Sequence, residues 1–157
     1  MSVCLLKIFE TVPTVRAIKD WSNDPQLHER TVRTLQSLPR PVNVLTTHSA
    51  WLFSSLVQGC AGLLSGSGSV IADLQAHLFR AVNRGDIAEA RAYADRIFPT
   101  AEVFYSDPAV DMHNRMKEAL VLLGKLPRAV VRPPLMKIGP EEIERIRQAL
   151  VKAKLLD

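Results

Sequence analysis

The chain has 157 residues, 47% of them hydrophobic and 23% charged, with a formal net charge of +4; this describes one soluble globular domain rather than a disordered or membrane chain. No stretch reaches the roughly 18 uninterrupted apolar residues of a membrane span, and the first residues carry no basic n-region, so a cytoplasmic chain that does not enter a membrane is expected. The basic excess is spread over helix faces, apart from Arg115, Lys117, Lys125, Arg128, Arg132 and Lys137 with only Glu118 among them, and no aromatic interleaving or known module points to nucleic acid.

The first element is an apolar run, Val3-Cys4-Leu5-Leu6-Lys7-Ile8-Phe9, which predicts a strand buried on both faces, as in a parallel sheet covered by helices. After Pro13 come helical patterns over 14–21 and 26–37, with Leu27, Val32 and Leu35 as apolar contacts. The segment 42–46 predicts a second strand, followed by a helix that opens at Ser49 and ends at Gly59. Gly62-Leu63-Leu64-Ser65 predicts a third, and a Gly-Ser turn leads into a helix over 70–84. Alternating strands and helices imply right-handed parallel β-α-β units. Three such strands leave two open edges, so the sheet as read is incomplete.

From residue 86 the pattern is helical only. Asp86-Ile87-Ala88-Glu89 has capping-box spacing, and its helix is expected to stop before Pro99. Asp107-Pro108 opens a helix lined by Met112, Met116, Ala119, Leu120 and Leu123 and stopped by Gly124. The last helix follows Gly139-Pro140, with Ile143, Ile146, Leu150 and Ala153 as its buried stripe and Glu141, Glu142, Lys152 and Lys154 matching the helix dipole. The chain therefore reads as two regions, 1–85 and 86–157. Cys4 and Cys60 sit in apolar surroundings and read as free core residues.

Several positions invite chemistry. A desolvated strand lysine at Lys7 can lose its proton and attack a carbonyl; an exposed one merely keeps its head in water. Small residues in Ser65-Gly66-Ser67-Gly68-Ser69 suit either an anion at a helix N-terminus or a plain turn. Thr46-Thr47-His48-Ser49, at the end of the second strand, suits a site or a helix cap. His113, with Asp111 and Asn114, fits no zinc spacing, so no metal is expected. His28 and His77 read as surface or half-buried helix residues.

From Gly62 to Leu150 the order of motifs resembles the C-terminal part of the dihydrodipicolinate synthase and N-acetylneuraminate lyase family. The pieces are Gly62-Leu63-Leu64-Ser65 followed by Val70; Gly85-Asp86 with Glu89-Ala90-Arg91; Met116-Lys117-Glu118-Ala119-Leu120 with Leu123-Gly124; and Arg132-Pro133-Pro134-Leu135 with Gly139-Pro140-Glu141-Glu142. The resemblance implies an α/β fold: the last three β-α units of a (β/α)8 TIM barrel, followed by an all-helical extension. Strands 3–9, 42–46 and 62–65 would be the sixth to eighth, with Lys7 as the Schiff-base lysine and Thr46, Thr47, Leu64 and Ser65 as substrate contacts. The family follows its lysine with an acidic or small residue and a short Ser/Thr-Gly turn; Ile8-Phe9-Glu10-Thr11 stands here instead.

The implied activity is that of a class I aldolase or lyase acting on pyruvate or a related 2-keto acid, without cofactor or metal. The first five strands, with the turn that grips the substrate carboxylate and the proton-shuttling tyrosine, are absent from the chain. The isolated chain is therefore expected to be inactive or weak, and to form a homo-oligomer or to associate with the missing half-barrel. The alternative is a non-catalytic α/β module that self-associates through its open sheet edge.

Overall fold

Leu5, Leu6 and Phe9 lie three and four residues apart, and the first apolar run is a helix, α1 (Val3–Thr11), not the strand expected over 3–9. The computed structural model describes residues 3–47 and 49–157, without the side chains of Val3 and Ser49. In α1, Phe9 is buried at 2% exposure, while Lys7, Ile8 and Glu10 face solvent. A short apolar run does not by itself separate strand from buried helix; leucine and lysine favour helix, and the spacing of Leu5 and Phe9 supplies one apolar stripe. Thr11 Oγ1 donates to the Lys7 carbonyl at 2.7 Å, and Pro13 follows. Arg40 then collects the carbonyls of this end, donating to Phe9, to Pro13 at 3.2 Å and to Val15 at 2.9 Å. A cation there complements the negative end of the helix dipole.

The first strand comes later, as β1 (Ala17–Asp20), inside a segment expected to be helical. Helix α2 (Pro25–Gln36) follows, opened by Asp24, whose carboxylate accepts from the N–H groups of Gln26 at 2.9 Å and Leu27 at 3.0 Å. Its buried residues, His28, Thr31, Val32 and Leu35, recur every three or four positions and form one face. Strand β2 (Asn43–Thr46), a single-turn 3-10 helix at Ser49–Trp51, helix α3 (Leu52–Val57) and strand β3 (Gly62–Leu63) complete this part of the chain. The sheet is parallel, in the order β1-β2-β3. Lys19 is in register with Leu45 and Asp20 with Thr46, while Leu45 faces Gly62 and Thr46 faces Leu63. Val42 and Val44 are fully buried. The expected second and third strands are present, the third shortened to two residues.

These elements form one compact unit up to Ser65; a second runs from Gly66 to Asp157. Within the second unit, α4 (Gly68–Asn83) packs on α5 (Ile87–Phe104) and α6 (Met112–Leu122). Asp86 caps α5 by accepting from the Glu89 N–H at 2.9 Å. The helix does not stop before Pro99 but continues to Phe104. Proline removes one N–H from the ladder, and the buried face of Ile97, Thr100, Ala101 and Phe104 spans that gap. The last helix, α7 (Pro140–Lys152), buries Ile146 and Leu150 of the expected stripe, with Ala153 buried just beyond it; Ala149 joins them, and Ile143 is half-buried. Arg115, fully buried on α6, donates to the Phe104 carbonyl at 3.3 Å, to Ser106 at 2.6 Å and to the carboxylate of Glu142.

Candidate active site

Successive side chains of a strand point to opposite faces, and in β1 this separates two adjacent charges. Lys19 is exposed, with Nζ 5.7 Å from the centroid of the Trp21 ring. Asp20, on the other face, is largely covered and ends the strand. Its Oδ1 accepts from the Ser22 N–H at 2.9 Å, and its Oδ2 lies 2.5 Å from Nδ1 of His28.

His28 is 1% exposed, contrary to the surface or half-buried position expected for it. Its Nε2 is 2.6 Å from Oγ of Ser55, and Ser55 Oγ donates to Cys60 Sγ at 3.4 Å. Cys60 Sγ donates in turn to the Gly62 carbonyl at 3.1 Å. The edge of the imidazole meets the Trp51 ring, with centroids 5.0 Å apart and planes at 76°. If Ser55 gives its one proton to sulfur, Nε2 must be the donor to Ser55. The imidazolium, donating at both nitrogens, therefore satisfies every group from Asp20 to Gly62.

Electrostatics favour the same form. Burial pushes the His28 pKa down, but hydrogen bonding to Cys60 and Asp20 and the charge on both outweigh it and leave it above the ordinary value of 6.5. Burial pushes the Cys60 thiol up, and hydrogen bonds involving His28, Ser55 and the Gly62 and Thr46 backbone bring it below its ordinary 9.0. One sequence signal pointed to this network: His28 shares the α2 face of Thr31, Val32 and Leu35, and a histidine on a buried face needs partners. Cys60 is buried and free as expected, whereas Cys4 is exposed.

The substrate contacts expected from the sequence lie at the C-terminal ends of β2 and β3. Thr46 and Thr47 are buried, at 1% and 2% exposure, and the Leu64 N–H donates to the Thr46 carbonyl at 2.8 Å. Leu64 is 54% exposed and Ser65 half-buried. Asp20, in register with Thr46, brings β1 to the same level. Lys7 does not join them: its role required a place on the first strand, and it stands on the exposed side of α1. The lysine on the first strand is Lys19, which the helical reading of 14–21 obscured. His48 and the capping role given to Ser49 lie outside the described residues. Among the described residues no three His, Cys, Asp or Glu side chains are grouped to hold a metal, and no helix is long and apolar enough to cross a membrane.

Residues 1–153 match the model of the Dihydrodipicolinate synthetase family. The 4-hydroxy-tetrahydrodipicolinate synthase of Symbiobacterium thermophilum is 30% identical over 151 residues, which are 96% of this chain and 49% of that protein. That of Nitrobacter hamburgensis is 35% identical over 102 residues, 65% of this chain and 33% of that protein. Among solved structures, YagE of Escherichia coli K12, a prophage protein of the dihydrodipicolinic acid synthase family in complex with pyruvate, superposes with a TM-score of 0.85 at 23% identity, covering 95% of this chain and 49% of that one. Dihydrodipicolinate synthase from Thermotoga maritima gives a TM-score of 0.84 at 22% identity, over 96% of this chain and 50% of that one. The chain spans about half the length of these proteins. Its parallel sheet and surrounding helices accordingly form part of a barrel fold, and the chain belongs to the dihydrodipicolinate synthetase family.

Proposed function

We propose that this chain is the C-terminal half of a class I aldolase or lyase acting on pyruvate or a related 2-keto acid, with Lys19 in place of Lys7 as its Schiff-base lysine. Strands β1, β2 and β3 then stand as the sixth, seventh and eighth of the barrel. The observation that carries the reading is Lys19 itself, an exposed lysine on the first of three parallel strands, next to the strand's C-terminal end. The residues after it also suit the family pattern: acidic Asp20, then a short turn through Ser22 and Asn23, where Ile8 and Phe9 follow Lys7. The pyruvate bound by YagE is the reason for naming that keto acid.

In this reading the neutral Lys19 amine gives its electron pair to the keto carbon, the keto oxygen leaves as water with one proton from the amine and one from solvent, and an iminium remains. The iminium accepts the electrons of a breaking carbon–carbon bond, or releases them from the enamine to a new one. Thr46, Thr47, Leu64 and Ser65, at the ends of the neighbouring strands, are the proposed substrate contacts. In this reading the rest of the acid–base machinery belongs to the half of the relatives that this chain does not span, and a missing general acid or base costs factors of about 10²–10⁴. The chain alone is therefore inactive or weak in making or breaking a carbon–carbon bond, whereas Schiff-base formation asks only for Lys19 and a keto acid. β1 and β3 each pair with β2 alone among the described residues, and their open edges suit a second copy or the missing half-barrel.

Borohydride reduction in the presence of pyruvate, followed by intact-mass measurement, tests the reading. One reduced pyruvyl adduct per chain is expected. A chain that stays unmodified under conditions that trap a full-length relative would contradict it.

A further inference from the structure

We infer that His28 is a positioning residue: through Asp20 it fixes the strand end and turn that carry Lys19. The inference rests on the reading of Lys19 given above and adds to it a group that never touches substrate.

On the solvent face Lys19 makes no hydrogen bond or ion pair among the described residues. Its side chain is exposed, with Nζ 5.7 Å from the centroid of the Trp21 ring. The strand is four residues long and stands at a sheet edge, paired only with β2 among the described residues. The next residue is held far more firmly. Asp20 spends one carboxylate oxygen on the Ser22 N–H at 2.9 Å and the other on His28 Nδ1 at 2.5 Å. The first contact shapes the turn; the second ties strand to helix.

His28 is well placed to bear that load. It is 1% exposed, edge-on to Trp51, and continues through Ser55 to Cys60 and Gly62. The start of β3 is thereby joined to the end of β1 beneath the sheet.

The test uses the full chain and its His28→Ala, His28→Asn and Asp20→Asn variants, each checked for fold by circular dichroism. Two rates are followed by peptide mapping: reductive trapping of pyruvate on Lys19 as pyruvate concentration is varied, and acetylation of Lys19 by acetic anhydride, with exposed Lys7 as internal standard. His28→Ala is expected to lower the maximal trapping rate about tenfold, the scale of a misplaced reacting group, and to alter the Lys19-to-Lys7 acetylation ratio at least twofold. His28→Asn, whose amide can still donate to Asp20, should recover most of both. If His28→Ala does not fold, Asp20→Asn carries the test and is expected to lower the maximal rate to a similar degree. A folded His28→Ala or Asp20→Asn chain with unchanged trapping and an unchanged acetylation ratio overturns the inference. If the unmodified chain traps no pyruvate, the aldolase reading fails, and the acetylation ratio still decides the role of His28.

Discussion

Asp20 Oδ2 lies 2.5 Å from His28 Nδ1, so the strand that bears Lys19 is fastened to the buried face of α2 by a hydrogen bond that is an ion pair when His28 is protonated. Breaking a buried pair by removing one partner costs about 3–5 kcal/mol. His28→Ala, which also strands Ser55, is expected to destabilise the chain by an amount in that range, read from urea denaturation at neutral pH.

The same pair gives stability a pH dependence of known sign. The folded His28 pKa is raised above its ordinary 6.5, so the folded state holds the extra proton more tightly. The associated stability is fully present below about the ordinary value and is lost as pH rises through the raised folded value. Urea midpoints of the native chain are expected to fall over that interval, and those of His28→Asn to change less.

Much of this was legible in the sequence, and the errors have identifiable causes. Val32 and Leu35 on α2 and Ile146 and Leu150 on α7 repeat often enough to define one face each, whereas His28 and Thr31 share the buried α2 face without the apolar character that would mark them. Seven residues from Val3 to Phe9 do not repeat often enough, because helix and strand both bury a run that short. β1 was hidden for the opposite reason: Ala17-Ile18-Lys19-Asp20 is an edge strand with little apolar content, and only its ladder to Asn43–Thr46 makes it a strand. Pro99 was read as a stop because local rules favour one, while burial of Ile97 and Phe104 carries α5 past it. Placing Lys7 on a strand rests on that same short run, which is helix α1.

Arg40 holds the end of α1 through the carbonyls of Phe9, Pro13 and Val15. Hydrogen bonds from a charged donor contribute about 1.5–3 kcal/mol. Arg40→Ala should lower stability by that order. Hydrogen exchange should speed up in α1 before it does in α2.

Arg115 is fully buried, with Glu142 and three carbonyls as acceptors. Arg115→Met keeps the volume but leaves those acceptors without a donor, and about 3–5 kcal/mol should be lost, measured as a drop in the thermal midpoint. Glu118, also on α6, is 4% exposed, and its Oε1 has no hydrogen-bond partner among the described residues. Glu118→Leu removes an unsatisfied buried oxygen and should raise stability by about 1–2 kcal/mol in the same assay.

The central claim is that Lys19, and not Lys7, carries the family's chemistry. It is tested most directly by proteolytic mapping of the borohydride-reduced pyruvate adduct in the native chain and in Lys7→Arg and Lys19→Arg. The account predicts the adduct on Lys19, retained in Lys7→Arg and absent from Lys19→Arg. An adduct on Lys7, or one that survives Lys19→Arg, would contradict it.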